Sequence, residues 1–482
     1  MTLPAPVRRN LLLLVVCLAQ LMVVLDVSIV NVALPSIHDD LGYTTTGLQW
    51  VVNAYTLTFA GFLMLGGRAA DLLGRRRVFL AGTGLFTVAS ILCAVADSQG
   101  TLDAARALQG FGAAIISPAT LAILATSFAE GRERNRALAA WGAMGGVGGA
   151  AGVLLGGLLT QELGWPAIFL INLPIGAVVL AASLRVVPEG RAELEHRHFD
   201  VAGAILITLG LTALVYGIVR TDVLGWGSLG VLVPLALAVA LIAAFAIVEG
   251  RVAKAPLMPA RIVRLGRLRA ANLVIFLLFA AIFAMWFFIS LYLQQVLGLD
   301  ALQTGLAFLP MTLGIIGVTS QTPKLIARFG PGRVLAVGAL LAAAGMALLS
   351  DVHAGGTYAA DVLPGGLLAA VGLGLGLVSG TIVAVQGVES RDSGLASALL
   401  NSSRLVGGAL GLAVLSTLAA SRTADRVAGG TPHLAALSDG FQVAFLVGAG
   451  FCLVGALVAF FLLGRRPAPA RAPEPEAESV AG

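Results

Sequence analysis

Leu25-Asp26-Val27-Ser28-Ile29-Val30-Asn31-Val32-Ala33-Leu34-Pro35 closes an apolar run that begins near Leu11. Such a run is long enough to cross a hydrocarbon core of about 30 Å, and it carries a carboxylate inside it. An ionised Asp at the centre of a membrane helix costs about 2.5–3.5 kcal/mol even on lenient insertion scales. Residues of this kind face protein or a water-filled cavity, where they pair with a partner or carry a proton. The alternative is a hydrated, purely structural Asp26 near the membrane surface. A partner at the same depth would decide between the two.

The remainder of the chain sets the environment for Asp26. Of its 482 residues 58% are hydrophobic and 11% charged, where soluble domains carry about 25% charged residues. Apolar segments of spanning length recur as far as Leu463, fourteen in all, which predicts an all-α polytopic membrane protein. An outer-membrane barrel would show short alternating segments instead. The net charge of +5 is carried by short connections, so it acts as a topology signal and not as a nucleic-acid surface. With the N-terminus inside, only Arg220, Arg422 and Arg426 fall in outer loops and only Arg106 and Arg404 fall within spans. All other Lys and Arg are then cytoplasmic, an asymmetry that a missed span would destroy. Both termini are therefore expected in the cytoplasm, and the first run continues too far for a cleavable signal peptide. Cys17, Cys93 and Cys452 lie in apolar spans at unrelated spacings and read as small core residues, with no disulfide or metal implied. His196 and His198 sit in a mixed-charge connection and read as solvated.

The two ends of the chain echo each other. Gly67-Arg68-Ala69-Ala70-Asp71-Leu72-Leu73-Gly74-Arg75-Arg76-Arg77 follows the second span, and Pro323-Lys324-Leu325-Ile326-Ala327-Arg328-Phe329-Gly330-Pro331-Gly332-Arg333 follows the tenth. Gly74 aligns with Gly330 and Arg77 with Arg333, while Ala327 replaces the acid. If each copy closes the second helix of a six-helix unit, the seventh and eighth spans are extra and the organisation is 6+2+6. The expected division is a six-helix bundle over 1–186, two extra helices with cytoplasmic linkers over 187–269, and a second bundle over 270–464. Residues 465–482, rich in Pro, Ala and Glu, are expected to form a disordered cytoplasmic tail.

Several polar residues stand out against this apolar background. Arg106 lies inside the fourth span and is as expensive as Asp26. At 1.5 Å per residue, Asp26 lies roughly 23 Å from the cytoplasmic start of its helix and Arg106 roughly 6–7 Å below the outer surface. Those depths match to within a helical turn, so the two can meet, with Gln109 one turn deeper. The alternative has Arg106 snorkelling outward beside Asp103. Asp71 and Arg75, in a turn bounded by Gly67 and Gly74, suit a conformational latch built from a helix cap and an ion pair. Gly145 and Gly149, with Gly148, Gly152 and Gly156, form a stripe of small residues that lets helices approach closely. Phe276, Phe279, Phe283, Trp286 and Phe287, followed by Tyr292 and Gln294, make an aromatic wall that faces either a cavity or lipid. Asn31, Gln109, Phe283, Trp286, Tyr292, Gln294, Asn401 and Arg404 are the candidates for lining a substrate cavity. Arg404 lies near mid-membrane, and no deep acid in the second half is available to pair with it. No P-loop of the Gly-x-x-x-x-Gly-Lys-[Ser/Thr] form and no hydrolytic triad motif occurs, so neither ATP nor an enzymatic activity is implied.

Taken together, Leu25–Pro35, Gly67–Arg77, Arg106–Gly112, the helix-five glycines, Gln294-Gln295, Gly305–Pro310 and Gly394-Leu395-Ala396-Ser397…Asn401-Ser402-Ser403-Arg404 carry a family resemblance. The chain resembles the fourteen-helix drug:proton antiporters of the major facilitator superfamily over essentially its whole membrane region. That resemblance implies two bundles, a central cavity with alternating access, and export of amphipathic drugs from a bacterial cytoplasmic membrane in exchange for protons. It makes Asp26 a coupling acid assisted by Arg106, makes Asp71 with Arg75 the latch, and implies a monomer with no cofactor. One departure is visible: Gly152-Val153-Leu154-Leu155-Gly156-Gly157 has Val153 where the family motif carries a proline. Export of one endogenous metabolite and proton-coupled import share the fold and remain alternatives. A scaffold or sensor role has little material here, because the cytoplasmic segments are short.

Overall fold

The computed structural model describes residues 5–44, 46–128, 132–189, 200–252, 265–386, 388 and 393–464. The 465–482 tail and the His196/His198 connection lie outside these. Fourteen helices among the described residues are long and apolar enough to cross a membrane. They are α1 (Ala5–Leu41), α2 (Trp50–Leu73), α3 (Arg75–Ala94), α4 (Gln99–Ser127), α5 (Arg132–Leu163) and α6 (Ala167–Val186). α7 (Val201–Leu224) and α8 (Leu229–Ile247) follow. The set ends with α9 (Gly266–Leu291), α10 (Ala301–Phe329), α11 (Pro331–Leu349), α12 (Leu363–Val385), α13 (Ser393–Ala428) and α14 (His433–Val458). Helices satisfy every backbone group internally, which the hydrocarbon environment demands.

Local sequence explains where these helices start and stop. Ser98 and Thr101 form a capping box that opens α4, and Asp300 with Gln303 forms another that opens α10. Asp200 accepts from the Gly203 amide at 2.7 Å and starts α7. Gly74 (φ 107°) and Gly330 (φ 85°) make the turns that end α2 and α10, a conformation that a side chain resists. The two glycines that align in the internal repeat thus serve one geometric purpose.

The packing repeats as well. In the first half α1 packs on α5, α2 on α4, and α3 on both α4 and α6. In the second half α9 packs on α13, α10 on α12, and α11 on both α12 and α14. Across the halves α5 lies on α10 and, in the equivalent position, α13 lies on α2. This is the 6+2+6 arrangement of two pseudo-symmetric bundles. The extra hairpin sits outside them: α7 packs on α2, α13 and α8, while α8 turns Leu229, Val233, Leu237 and Val239 outward.

The ends of the bundles expected to face outward, called the outer ends below, are closed on each other. Ser290 Oγ donates to the Asn31 carbonyl at 2.6 Å, and Gln294 Nε2 donates to the Val32 carbonyl at 2.9 Å. A Cβ at Gly157 would lie 2.5 Å from the Ala301 carbonyl, and one at Gly305 would overlap that of Val153. α5 runs unbroken through Val153, as expected where proline is missing.

The glycine stripe divides between two faces. Gly148, Gly152 and Gly156 press on Val24–Ile29 of α1, and the Ser28 hydroxyl donates to the Gly148 carbonyl at 3.0 Å. Gly149 meets only the Thr312 methyl of α10, and Gly145 has nothing within 4 Å, so it takes no part in close packing. A side chain at Gly152 would overlap the Ser28 hydroxyl. Gly152→Leu is therefore expected to destabilise the protein by about 1–3 kcal/mol. Gly145→Leu should stay within about 0.5 kcal/mol of wild type. Thermal unfolding midpoints of the purified proteins check both; equal losses would show that the stripe acts as one surface.

Candidate functional site

Burying a carboxylate in a helical bundle requires donors from several directions, and Asp26 has them. It is 0% exposed, and Arg106 is 1% exposed. Arg106 Nη1 lies 2.5 Å from Asp26 Oδ2 and donates to Gln109 Oε1 at 2.6 Å, while Nε donates to the Val51 carbonyl at 2.9 Å. Gln109 Nε2 donates to Asp26 Oδ1 at 2.7 Å and to Ser90 Oγ at 2.9 Å. Asn172 Nδ2 approaches the same two acceptors, at 3.1 Å from Asp26 and 3.3 Å from Ser90. The guanidinium also stands 4.5 Å from the centroid of the Tyr55 ring and 5.7 Å from that of Phe169. Five of the six first-half helices thus meet at one ion pair. The i, i+3 spacing of Arg106 and Gln109 places both on the face of α4 that looks at α1.

One helical turn outward from Arg106, Asp103 accepts a hydrogen bond from Tyr43 at 2.9 Å. Asp103 lies between the ion pair and the outer surface and is only part-buried.

Sequence reasoning passed over Ser90, Tyr55 and the role of Asn172. Asn172 stands where α6 restarts after a break at Ile171, so it reads as a turn residue beside Pro174. Its signal was the one that exposed Asp26: an amide in an otherwise apolar span. Ser90 gives less warning, because its hydroxyl also bonds its own helix at the Phe86 carbonyl.

The cavity candidates separate into groups. Gln109 is fully enclosed in the ion-pair network and lines nothing. Tyr292 is buried at the outer end, its hydroxyl donating to the His353 carbonyl at 2.8 Å, and Gln294 belongs to the outer seal. Both differ from the cavity expectation. Asn31 is half-buried, with its amide turned to the Val27 carbonyl of its own helix. Phe283, Trp286, Asn401 and Arg404 are part-exposed on α9 and α13, and Trp286 packs on Phe308 at 4.9 Å. Phe279 and Phe287 are buried, so the aromatic stripe is half core and half accessible.

At the α2–α3 turn, Arg75 lines a small cavity with Ile123, Thr126 and Ser127 of α4. Gly67 rests near Pro118 of the same helix. The side chain of Asp71 lies outside the described residues.

Comparison with known proteins places this architecture. The sequence model of the Major Facilitator Superfamily matches residues 16–412. The cephamycin export protein CmcT of Amycolatopsis lactamdurans is 42% identical over 470 residues, covering 96% of this chain and 93% of that protein. The puromycin resistance protein pur8 of Streptomyces alboniger is 41% identical, covering 95% and 92%. The methylenomycin A resistance protein of Streptomyces coelicolor is 35% identical, covering 92% and 90%. Among solved structures, an auto-inhibited POT family peptide transporter superposes with a TM-score of 0.67 at 16% identity, covering 96% of this chain and 99% of that one. A bacterial homolog of the lysosomal transporter Spinster, inward-facing and unoccupied, does so at 0.65 and 16%, again covering 96% and 99%. At that identity the two structures speak for the fold alone. The chain is a multi-pass membrane transporter and belongs to the major facilitator superfamily.

Proposed function

We propose that this protein exports amphipathic antibiotics or related hydrophobic compounds across a bacterial cytoplasmic membrane, in exchange for protons, by alternating access. The observation that carries the reading is the buried Asp26–Arg106 pair, held by five helices, in a chain whose relatives are antibiotic export and resistance proteins. A proton on Asp26 removes the counter-charge of Arg106. Breaking a buried pair in this way costs about 3–5 kcal/mol, because one charge is left uncompensated. Shifting a two-state equilibrium from 1:99 to 99:1 takes about 5.5 kcal/mol. One proton at this position therefore supplies most of the energy needed to exchange the closed outer face for an open one. Asp103 and Tyr43 stand between the pair and the outer surface, the side from which the proton enters. Gly67, Asp71, Gly74 and Arg75 are proposed to latch the cytoplasmic side in the opposite state. ATP and cofactors have no part in this cycle.

A narrower cargo, one endogenous secondary metabolite, is favoured by the 42% identity to a cephamycin exporter. A panel of compounds separates broad from narrow export.

Inverted membrane vesicles with an acidic lumen and a panel of positive, negative and neutral fluorescent amphiphiles test the main reading. Wild type should accumulate at least one compound in a gradient-dependent manner, and Asp26→Asn should lose the gradient dependence while inserting normally. Undiminished gradient-driven accumulation by Asp26→Asn overturns the coupling role.

Asn172→Ala removes one of the donors to Asp26 and leaves Arg106 and Gln109 in place. Loss of a hydrogen bond to a charged group is worth about 1.5–3 kcal/mol. Gradient-driven rates should fall about ten-fold or more while cargo binding without a gradient stays near wild type. A variant that loses binding and coupling together would make Asn172 a general structural residue.

A further inference from the structure

Arg404 is the second arginine inside the membrane region, and unlike Arg106 it has no anion. It lies roughly 16 Å along α13 from Ser393, which is mid-membrane. Among the described residues no carboxylate of α9–α14 shares that depth. Asp300, Asp351, Asp361, Asp425 and Asp439 all stand at the outer ends. Arg404 donates no hydrogen bond to any described residue, yet its nitrogens are not sealed off and the residue is only part-buried. An arginine that is deep, part-exposed and without a hydrogen bond among the described residues needs a polar cavity or an added anion to compensate it.

The surroundings say which cavity. Leu405, the next residue, packs into the hydrophobic cluster of the first half, so this stretch of α13 looks across to the other bundle. Asn401 and Gly408, one turn to either side, share the face of Arg404. Gly408 is kept small by Phe283, whose ring a Cβ would approach to 2.7 Å. The guanidinium stands 5.4 Å from the centroid of the Phe279 ring. A ring contact uses none of the guanidinium N–H groups, so they stay available to a carboxylate, which an arginine fork binds through two hydrogen bonds. Phe283 and Trp286, part-exposed further along α9, extend an aromatic surface beside it.

We propose that Arg404, backed by Phe279 and flanked by Asn401 and Phe283, is the subsite that takes the carboxylate of an amphipathic organic acid. Acids with a flat hydrophobic body are then the favoured cargo of the export proposed above. The assignment rests on that reading for its physiological meaning, but binding itself requires no gradient.

The test uses the purified full-length protein in detergent at neutral pH, with no gradient, and two probes: 4-(1-pyrenyl)butyrate and its neutral primary amide. Fluorescence anisotropy should show wild type binding the acid about ten-fold or more tighter than the amide. Arg404→Gln should bind both equally, at the wild-type affinity for the amide. Arg404→Lys keeps the charge without the fork and should retain part of the preference. It also serves if Arg404→Gln elutes as an aggregate. Equal binding of acid and amide by wild type overturns the assignment, as do failure of the acid to bind and a full preference in the arginine variants. Retained acid preference in vesicles that show no gradient-driven accumulation would sink the export reading alone and leave the subsite standing.

Discussion

Two full charges at the centre of a first-half bundle set the terms for the rest of this protein. Each ion loses several kcal/mol on leaving water, and their mutual attraction restores that only if every remaining donor and acceptor is also satisfied. Asp26 meets the condition by drawing on Arg106, Gln109 and Asn172, and Arg106 by reaching the Val51 carbonyl between two aromatic rings. Helices α1, α2, α3, α4 and α6 are thereby tied to a single charge state. A network of this kind contributes little to net stability. Its consequence is conditional: remove one charge and five helices lose their common anchor.

Such a switch needs a scaffold with two nearly equal arrangements, and the repeated packing provides one. In the proposed cycle the equivalent contacts of α5 on α10 and α13 on α2 are the surfaces about which one bundle rocks against the other. Small residues keep those interfaces movable. Gly157 and Gly305 let α5 and α10 meet backbone to backbone at the outer end. The α7–α8 hairpin rides outside, across the α2–α13 seam.

Much of this was legible in the sequence because membranes make polar residues expensive. Fourteen spans follow from hydropathy, and the repeat around Gly74 and Gly330 follows from turn chemistry. Helix rise put Asp26 and Arg106 at depths where they could meet, with outward snorkelling of Arg106 as the alternative, and the structure pairs them. Spacing failed where helices stop being regular or where one helix serves two neighbours. Tyr292 and Gln294 lie beyond the aromatic stripe, in a π-turn over Tyr292–Val296 at the outer end of α9, so they meet the outer seal instead of a cavity. The stripe on α5 looked continuous, yet 3.6 residues per turn sends Gly148, Gly152 and Gly156 to α1 and leaves Gly145 open. Ser90 was invisible because a serine that bonds its own helix costs little to bury.

The two bundles share a backbone plan and differ in charge. Where the first half answers its arginine with Asp26, the second half leaves Arg404 accessible above an aromatic wall and supplies no acid at that depth. A pseudo-symmetric protein gains nothing from placing an unanswered cation roughly 16 Å inside its helix unless something else supplies the negative charge. In the proposed cycle the proton discharges the anion of one half, and cargo discharges the cation of the other. Each half then responds to its own ligand, and the shared interfaces α5–α10 and α2–α13, with the α1–α9 hydrogen bonds at the outer end, carry one event to the other. In that proposal, exchange of proton for cargo follows from the division, with the closed outer face held for as long as Arg106 keeps its anion.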